Sequence, residues 1–342
     1  MRKIFQPILA VVLGLALGLG VTALAGENPW RVFKILVHGA FGTRNDFGMT
    51  LFYSTPLIFT GLSVAIAFHA GLFNIGAEGQ LTMGALAAAA VGALWPGMPS
   101  MVAPVLAGLG AILAGMIWGA IPGWLRARRG SHEVINTIMF NFIAAGLASY
   151  VTLYLLKNPE SQNPETRHVG ANYLLHPFDF FNGAPVSAAL LLALVAAVLV
   201  WVFLWRTALG FEIRAVGQSE SAARAAGIDT ARIRIVAMAL AGGLAGMVGM
   251  GEVLGNSGNF RVGFSAEYGF LGIAVALLGR NQPLGIVAAA LLFGALHKGA
   301  AALDMDTEHV TKELSLILQA LVILSVSADG LWGWMKRRRQ PC

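Results

Sequence analysis

Long apolar runs recur along the whole chain, at about 5–25, 48–69, 73–95, 101–124, 134–156, 186–205, 232–254, 267–280, 283–301 and 313–331. A helix that crosses hydrocarbon needs ~20 such residues, because lipid offers no partner for an exposed peptide group. Runs of that length, separated by short polar or Gly/Pro stretches, predict a multi-pass helical membrane protein with about ten transmembrane helices. The run at 267–280 is short for a full crossing, which predicts a tilted or broken helix. Composition closes the other routes. Hydrophobic residues make up 57% of the 342 and charged residues 12%, against about a quarter charged in soluble domains. A transmembrane barrel would alternate apolar and polar positions along each strand. The 42 glycines point to helices packed at close range. The expected fold class is all-α, one transmembrane domain over 1–342.

Ten spans put both termini on one side. With the N-terminus inside, 15 of the 23 lysines and arginines fall inside, including the clusters at 126–129, 206–234 and 336–339. This is the charge bias of cytoplasmic loops. The outer loop near Asp304, Asp306 and Glu308 is acidic. Arg2 and Lys3 ahead of an apolar run, with Ala23-Leu24-Ala25 behind it, resemble a cleaved signal. The run from Ile8 to Ala25 exceeds a normal signal core, so a retained helix is expected, packed through Gly14 and Gly18.

No G-x-x-x-x-G-K-[ST] loop and no H-E-x-x-H helix occurs in the sequence. ATP-driven work would need another chain to hydrolyse the nucleotide. Cys342 is the single cysteine, so no internal disulfide forms, and no metal or other cofactor is expected.

Four polar segments interrupt the apolar pattern. Residues 206–234 hold Gly217-Gln218-Ser219-Glu220-Ser221-Ala222-Ala223-Arg224-Ala225-Ala226-Gly227-Ile228. Ser219 or Ser221 can cap a short alanine-rich helix that Gly227 ends; it reads equally as a partner-docking knob or as a solvated loop helix. The stretch Gly71-Leu72-Phe73-Asn74-Ile75-Gly76-Ala77-Glu78-Gly79-Gln80 can break a helix near membrane depth. Its polar groups serve a turn or contact a solute. In Ser131-His132-Glu133-Val134-Ile135-Asn136-Thr137-Ile138-Met139-Phe140-Asn141, the two asparagines are five apart and do not share a narrow helix face. One could line a cavity while the other bonds a neighbouring helix. Gly255-Asn256-Ser257-Gly258 could house a protease serine, with His297 as its base, but such clusters are ordinary loop material and nothing in the sequence places His297 beside Ser257. Gly242, Gly246, Gly251 and Gly255 stripe one span at small-x-x-x-small spacing. Glu252, in that span, either snorkels or lines a cavity.

The 71–80 and 132–141 segments, with Ala222-Ala223-Arg224-Ala225-Ala226-Gly227-Ile228, resemble the permeases of bacterial ABC importers of the branched-chain amino acid, ribose and simple-sugar superfamily. The resemblance is to the nucleoside-type, basic-membrane-lipoprotein-linked branch, and it covers nearly the whole chain. It implies a type II-like importer permease in the bacterial cytoplasmic (inner) membrane, with no catalysis of its own. Glu220, Ala222, Ala223, Arg224 and Gly227 would dock in a separate ABC ATPase subunit. Here Ser221 stands between Glu220 and Ala222, a departure from the general E-A-A-x-x-x-G pattern. An extracytoplasmic solute-binding protein would deliver nucleosides, or simple sugars, to outer loops near 26–46, 157–185 and 255–265. A second permease chain, the same or related, would complete the pathway, and no nucleic acid is involved. Asn74, Glu78, Gln80, Asn136, Asn141, Phe260 and Phe264 are the candidate pathway residues. The competing class is an ion- or proton-coupled secondary transporter working through Glu78 or Glu252.

Overall fold

The computed structural model describes residues 2–307 and 311–327. Glu308, the 336–339 basic cluster and Cys342 lie outside the described residues. In chain order the helices are α1 (Arg2–Leu24), α2 (Pro29–Phe41), α3 (Arg44–His69), α4 (Ala77–Leu94), α5 (Ala103–Arg129), α6 (Glu133–Tyr150), α7 (Ala188–Arg206), α8 (Ala208–Gln218), α9 (Glu220–Ala225), α10 (Thr230–Gly246), α11 (Tyr268–Leu278), α12 (Pro283–Ala301), α13 (Leu303–Asp306) and α14 (Leu314–Ser327). Wider-wound π turns prolong α6 over Val151–Leu155 and follow α10 over Met250–Ser257. Six of these helices, two counted with their π turns, are long and apolar enough to cross a membrane; α1, α11 and α14 contribute shorter apolar stretches. Each predicted apolar run holds a helix. The third begins its helix only at Ala77, and the eighth is the 11-residue α11.

Burial sorts the helices. The central α3 has 83% of its apolar window buried, against 28% for α5, 17% for α6 with its π turn and 33% for α7. Those three expose Leu113, Ile117, Phe142, Ile143, Val198 and Leu199, the side chains that lipid solvates best. The core around α3 joins Phe59, Leu62 and Ile66 to Leu204, Met238, Val275, Ile286 and Phe293.

Two stretches that the apolar pattern leaves as loops are helical. In the 26–46 segment, Asn28 caps α2 by accepting from the amides of Trp30 and Arg31, and Pro29 supplies the helix-ready φ at its first turn. Val32 and Leu36 then bury against Leu296 and Ala300 of α12. In the 206–234 segment, Thr207 caps α8. At the far end of α3, Lys298 of α12 reaches Asp46 at 2.7 Å.

The tightest contacts are made by glycine. A Cβ at Gly242 would lie 2.1 Å from the Gly115 carbonyl oxygen, and one at Gly246 would lie 2.3 Å from that of Ala111. On another side, Gly84 of α4 lies equally close to the backbone of Gly246. The stripe expected on this span therefore packs on α5 and α4, but only over its first half. The π turn redirects Gly251 and Gly255 toward Ala189 and Ser187 at the start of α7. Gly14 and Gly18 place α1 against Val322 and Leu318 of α14 in the same manner.

Candidate functional site

Three helix interruptions meet inside the bundle. Gln80 of α4 lies beside Gly119 of α5, ten residues before α5 ends at Arg129, or about 15 Å along the axis. Gly272 of α11 packs on Thr60, nine residues before α3 ends at His69. The first turns of α4 and α11 thus open within the apolar layer, beside the π turn that follows α10. Helix starts expose four amides each, and in lipid these require protein partners.

Side chains from distant segments supply them. Asn74, fully enclosed, faces Gln80 in a reciprocal amide pair, at 2.8 Å from its Nδ2 to Gln80 Oε1 and 3.0 Å from Gln80 Nε2 to its Oδ1. Its Oδ1 also accepts from the Gly76 amide, and its Nδ2 reaches Ser63 of α3. Asn141 of α6 completes the clamp: its Oδ1 accepts from the Gly79 amide at 2.8 Å, and its Nδ2 donates to the Ile75 carbonyl at 3.0 Å. Gly76, at the cap position, has no side chain to do this; Asn141 caps α4 from another helix. Glu78 repeats the device on α11, where its Oε2 accepts from the Gly269 amide at 2.8 Å. A carboxylate between two helix N-termini sits where both macrodipoles favour it.

Of the candidate pathway residues, Asn74, Glu78, Gln80 and Asn141 converge on this junction. Their polar groups hold the helix break in place, and Glu78 is tied to α11 rather than standing in open water. Asn136 does not join them, since it donates to Ser131 at the start of its own helix, 2.6 Å away. Phe260 is enclosed at 1% exposure with Tyr173, Val253 and Leu254. Its backbone pairs with Thr166 across the loops. Phe264, half-buried, meets Phe260 edge-on at 5.4 Å between ring centres.

A second polar group lies beside the junction; the sequence marks its Glu252 and His297 but not Tyr53 and Tyr268. Glu252 of the π turn is 9% exposed and its Oε1 has no hydrogen-bond partner. Tyr268, the first residue of α11, and Asn256 are its polar neighbours. His297 packs edge-on to Tyr53, 4.4 Å between ring centres. The rare tyrosines inside apolar runs, 5 in the whole chain, were the available signal for Tyr53 and Tyr268. Ser257 and His297 do not form a catalytic pair, because the Ser257 hydroxyl donates to the backbone carbonyls of Glu252 and Asn259.

At the end of the bundle where α3 and α5 finish lies α9. Ser219 accepts from the Ala222 amide to start this short helix. At its end Gly227, with φ +85°, lets the Ile228 amide return to the Ala223 carbonyl. Ala223 buries toward the core, while Ser221, Ala222, Arg224 and Ala225 are exposed. Glu220 is an internal anchor: it pairs with Arg234 of α10 at 2.7 Å and with Arg224 at 2.9 Å. The hydrogen bond from Arg234 holds its carboxyl below the usual carboxylate range, with the charges of both arginines adding to it.

Residues 47–327 match the family described as the branched-chain amino acid transport system / permease component. A guanosine ABC transporter permease protein of Bacillus subtilis is 38% identical, over 96% of this chain and 94% of its own. A nucleoside ABC transporter permease protein of Lactococcus lactis is 34% identical over 95% and 91%, respectively. A glucose ABC transporter permease protein of Haloferax volcanii is 36% identical over 93% and 85%. With the helical bundle, the broken α4 and the short projecting α9 in place, these matches show that the chain belongs to the branched-chain amino acid transport system permease family of ABC transporters.

Proposed function

We propose that the chain is the membrane-spanning permease of an ATP-dependent importer of nucleosides, with simple sugars as the next substrate class. The named relatives support the substrate class. In this reading the chain sits in the bacterial inner membrane with both termini and α9 in the cytoplasm. A separate ABC ATPase hydrolyses the nucleotide, and an extracytoplasmic binding protein delivers the solute to the loops at 157–185 and 255–265. A second permease chain completes the pathway.

One observation carries the mechanical part. The small exposed face of α9, formed by Ala222, Arg224 and Ala225, is bolted through Glu220 to Arg234 near the start of α10. Alanines leave room for a partner's groove to close on the backbone. The ion pair passes a push on α9 to α10, which leads without a long loop into the π turn. There α10 meets α4 at Gly84 and Gly246. A packed interior is stiff and shifts between discrete arrangements, so displacement of α10 reaches the junction of α4 and α11. The pathway gate is placed at that junction, with Asn74, Glu78, Gln80 and Asn141 holding it and Phe264 beside it.

The test is capture of the tagged full chain from native membranes in mild detergent after crosslinking. An ABC ATPase and a solute-binding protein in the eluate, the latter binding nucleosides, are the expected result. Recovery of this chain alone overturns the reading.

A further inference from the structure

A narrow crevice of about 10 Å³, room for about one water, lies where α3, the start of α7 and the π turn after α10 come together. Thr55 and Pro56 form one wall, Ser187 and Ala189 a second, and Gly251 and Glu252 the third. Glu252 is the charged residue of this lining. Its Oε1 is buried without a hydrogen-bond partner, and Tyr268 and Asn256, which hydrogen-bond to the carboxyl, carry no positive charge. A buried acceptor left unpaired carries its full desolvation penalty, larger when it is charged. Ionisable groups at membrane depth face the bundle interior and mark solute pathways.

The neighbours also define what would fit. The helix that begins at Tyr268 is the one capped by Glu78, so the crevice adjoins the junction where α4 and α11 start. Phe52, Pro56 and Val248 make its walls largely apolar. A flat, neutral group with a polar edge suits such a site better than a hydrated ion. The local backbone suits a moving wall: π turns recur at functional sites, and this one separates the α5-packed half of the glycine stripe from the α7-facing half.

We propose that Glu252 is a substrate-recognising residue, whose carboxyl accepts hydrogen bonds from adjacent N–H donors on the edge of a nucleobase as it passes the crevice. The proposal rests on the nucleoside-importer reading. The N1–H and 2-amino groups of a guanine ring present two such donors side by side, and a carboxylate meets two parallel donors well. The crevice is narrower than a nucleoside in this conformation, so occupancy requires α3 and the start of α7 to part. That movement would also be the step at which substrate identity is read.

The experiment uses the full chain captured with its ATPase and binding protein, reconstituted in proteoliposomes with ATP. Uptake of labelled guanosine is compared with inosine, which keeps N1–H and lacks the 2-amino donor. Glu252→Gln replaces one acceptor oxygen by a donor. It should raise the guanosine KM at least tenfold and the inosine KM less, so that preference for guanosine falls. Gly251→Ala provides an independent arm. Its added methyl meets Ala189 at 3.5 Å and Thr55 at 3.9 Å, which the fold tolerates, yet it narrows the crevice; KM should rise for both nucleosides. A wild-type KM and preference in Glu252→Gln overturns the assignment. If that variant is not captured with its partners, a wild-type KM in Gly251→Ala overturns it instead. No uptake of guanosine by the wild-type complex overturns the assignment together with the functional reading.

Discussion

Two carboxylates anchor helix ends in this chain, in opposite surroundings. Glu220 sits at the water-exposed start of α9, its side chain 37% exposed, tied to two arginines. Glu78 sits inside the bundle and accepts from the Gly269 amide, with Asn141 holding the same helix start from the other side. On the surface, water stands ready to replace any lost partner, so an ion pair contributes little to stability and serves to fix position. At the junction nothing replaces a lost partner, and each hydrogen bond is a condition of keeping the helix broken there. A transport protein needs both kinds of anchor. The exposed helix can engage and release a partner, while the buried break keeps its shape until the helices move.

The contrast can be broken at graded cost. The largest effect is expected from Gly242→Leu, because even a Cβ there lies 2.1 Å from a backbone oxygen of α5. Separation of α5 and α10 should cost more than about 4 kcal/mol, read as loss of monodisperse protein in detergent. A folded, normally yielding variant would mean that the glycine contact is not the seam holding the junction. Next comes Asn141→Ala, which leaves the Gly79 amide and the Ile75 carbonyl without their partner. A loss of about 1–3 kcal/mol is expected, seen as a lower melting temperature, with Asn136→Ala as the milder control. Equal effects of the two would remove the distinction drawn between the asparagines.

Gly227→Val acts on the exposed anchor. A Cβ there meets nothing within 4 Å, so the cost is conformational, about 1–2 kcal/mol for a positive φ. Folding should survive, while ATP hydrolysis by the assembled complex proceeds with little uptake. Normal uptake would count against α9 as the coupling element. The smallest effect belongs to Glu220→Gln. Its carboxyl titrates lower in the folded chain than in the unfolded chain. The pair therefore contributes above the ordinary carboxylate pKa, about 4.3, and that contribution disappears as pH falls through the folded value. For so exposed a group the contribution stays under about 1 kcal/mol and shrinks with salt. Thermal melts of wild type and variant should differ slightly at pH 7 and converge near pH 3; a gap that persists at acid pH would assign the effect to something other than the carboxylate charge.

Local features of the chain were readable where they repeat. The apolar runs, the α9 cap at Ser219 and stop at Gly227, and the glycine stripe through Gly242 and Gly246 all announce themselves through spacing. Two helices, α2 and α8, escaped that reading because, at 13 and 11 residues, they are too short to register as spans, although both are amphipathic. Among the pathway candidates, polarity at membrane depth singled out Asn74, Glu78, Gln80 and Asn141, which the fold brings to one junction. It could not separate them from Asn136, whose partner Ser131 lies five residues away. Nor could it tell that Phe260 would be enclosed by loops.

The sequence by itself determined that this chain forms many apolar helices, where most of them lie, and which stretches cannot continue as helix. Lipid enforces this locally: every peptide group must find its bond within the same helix, and length and apolarity decide where that is possible. The tertiary structure alone decided which polar groups meet. Asn141 reaches the amide of Gly79, 62 residues away, and Glu78 that of Gly269, 191 residues away. Such partners are chosen by where helices cross, and crossings depend on side-chain volumes summed over whole interfaces, which no local pattern records.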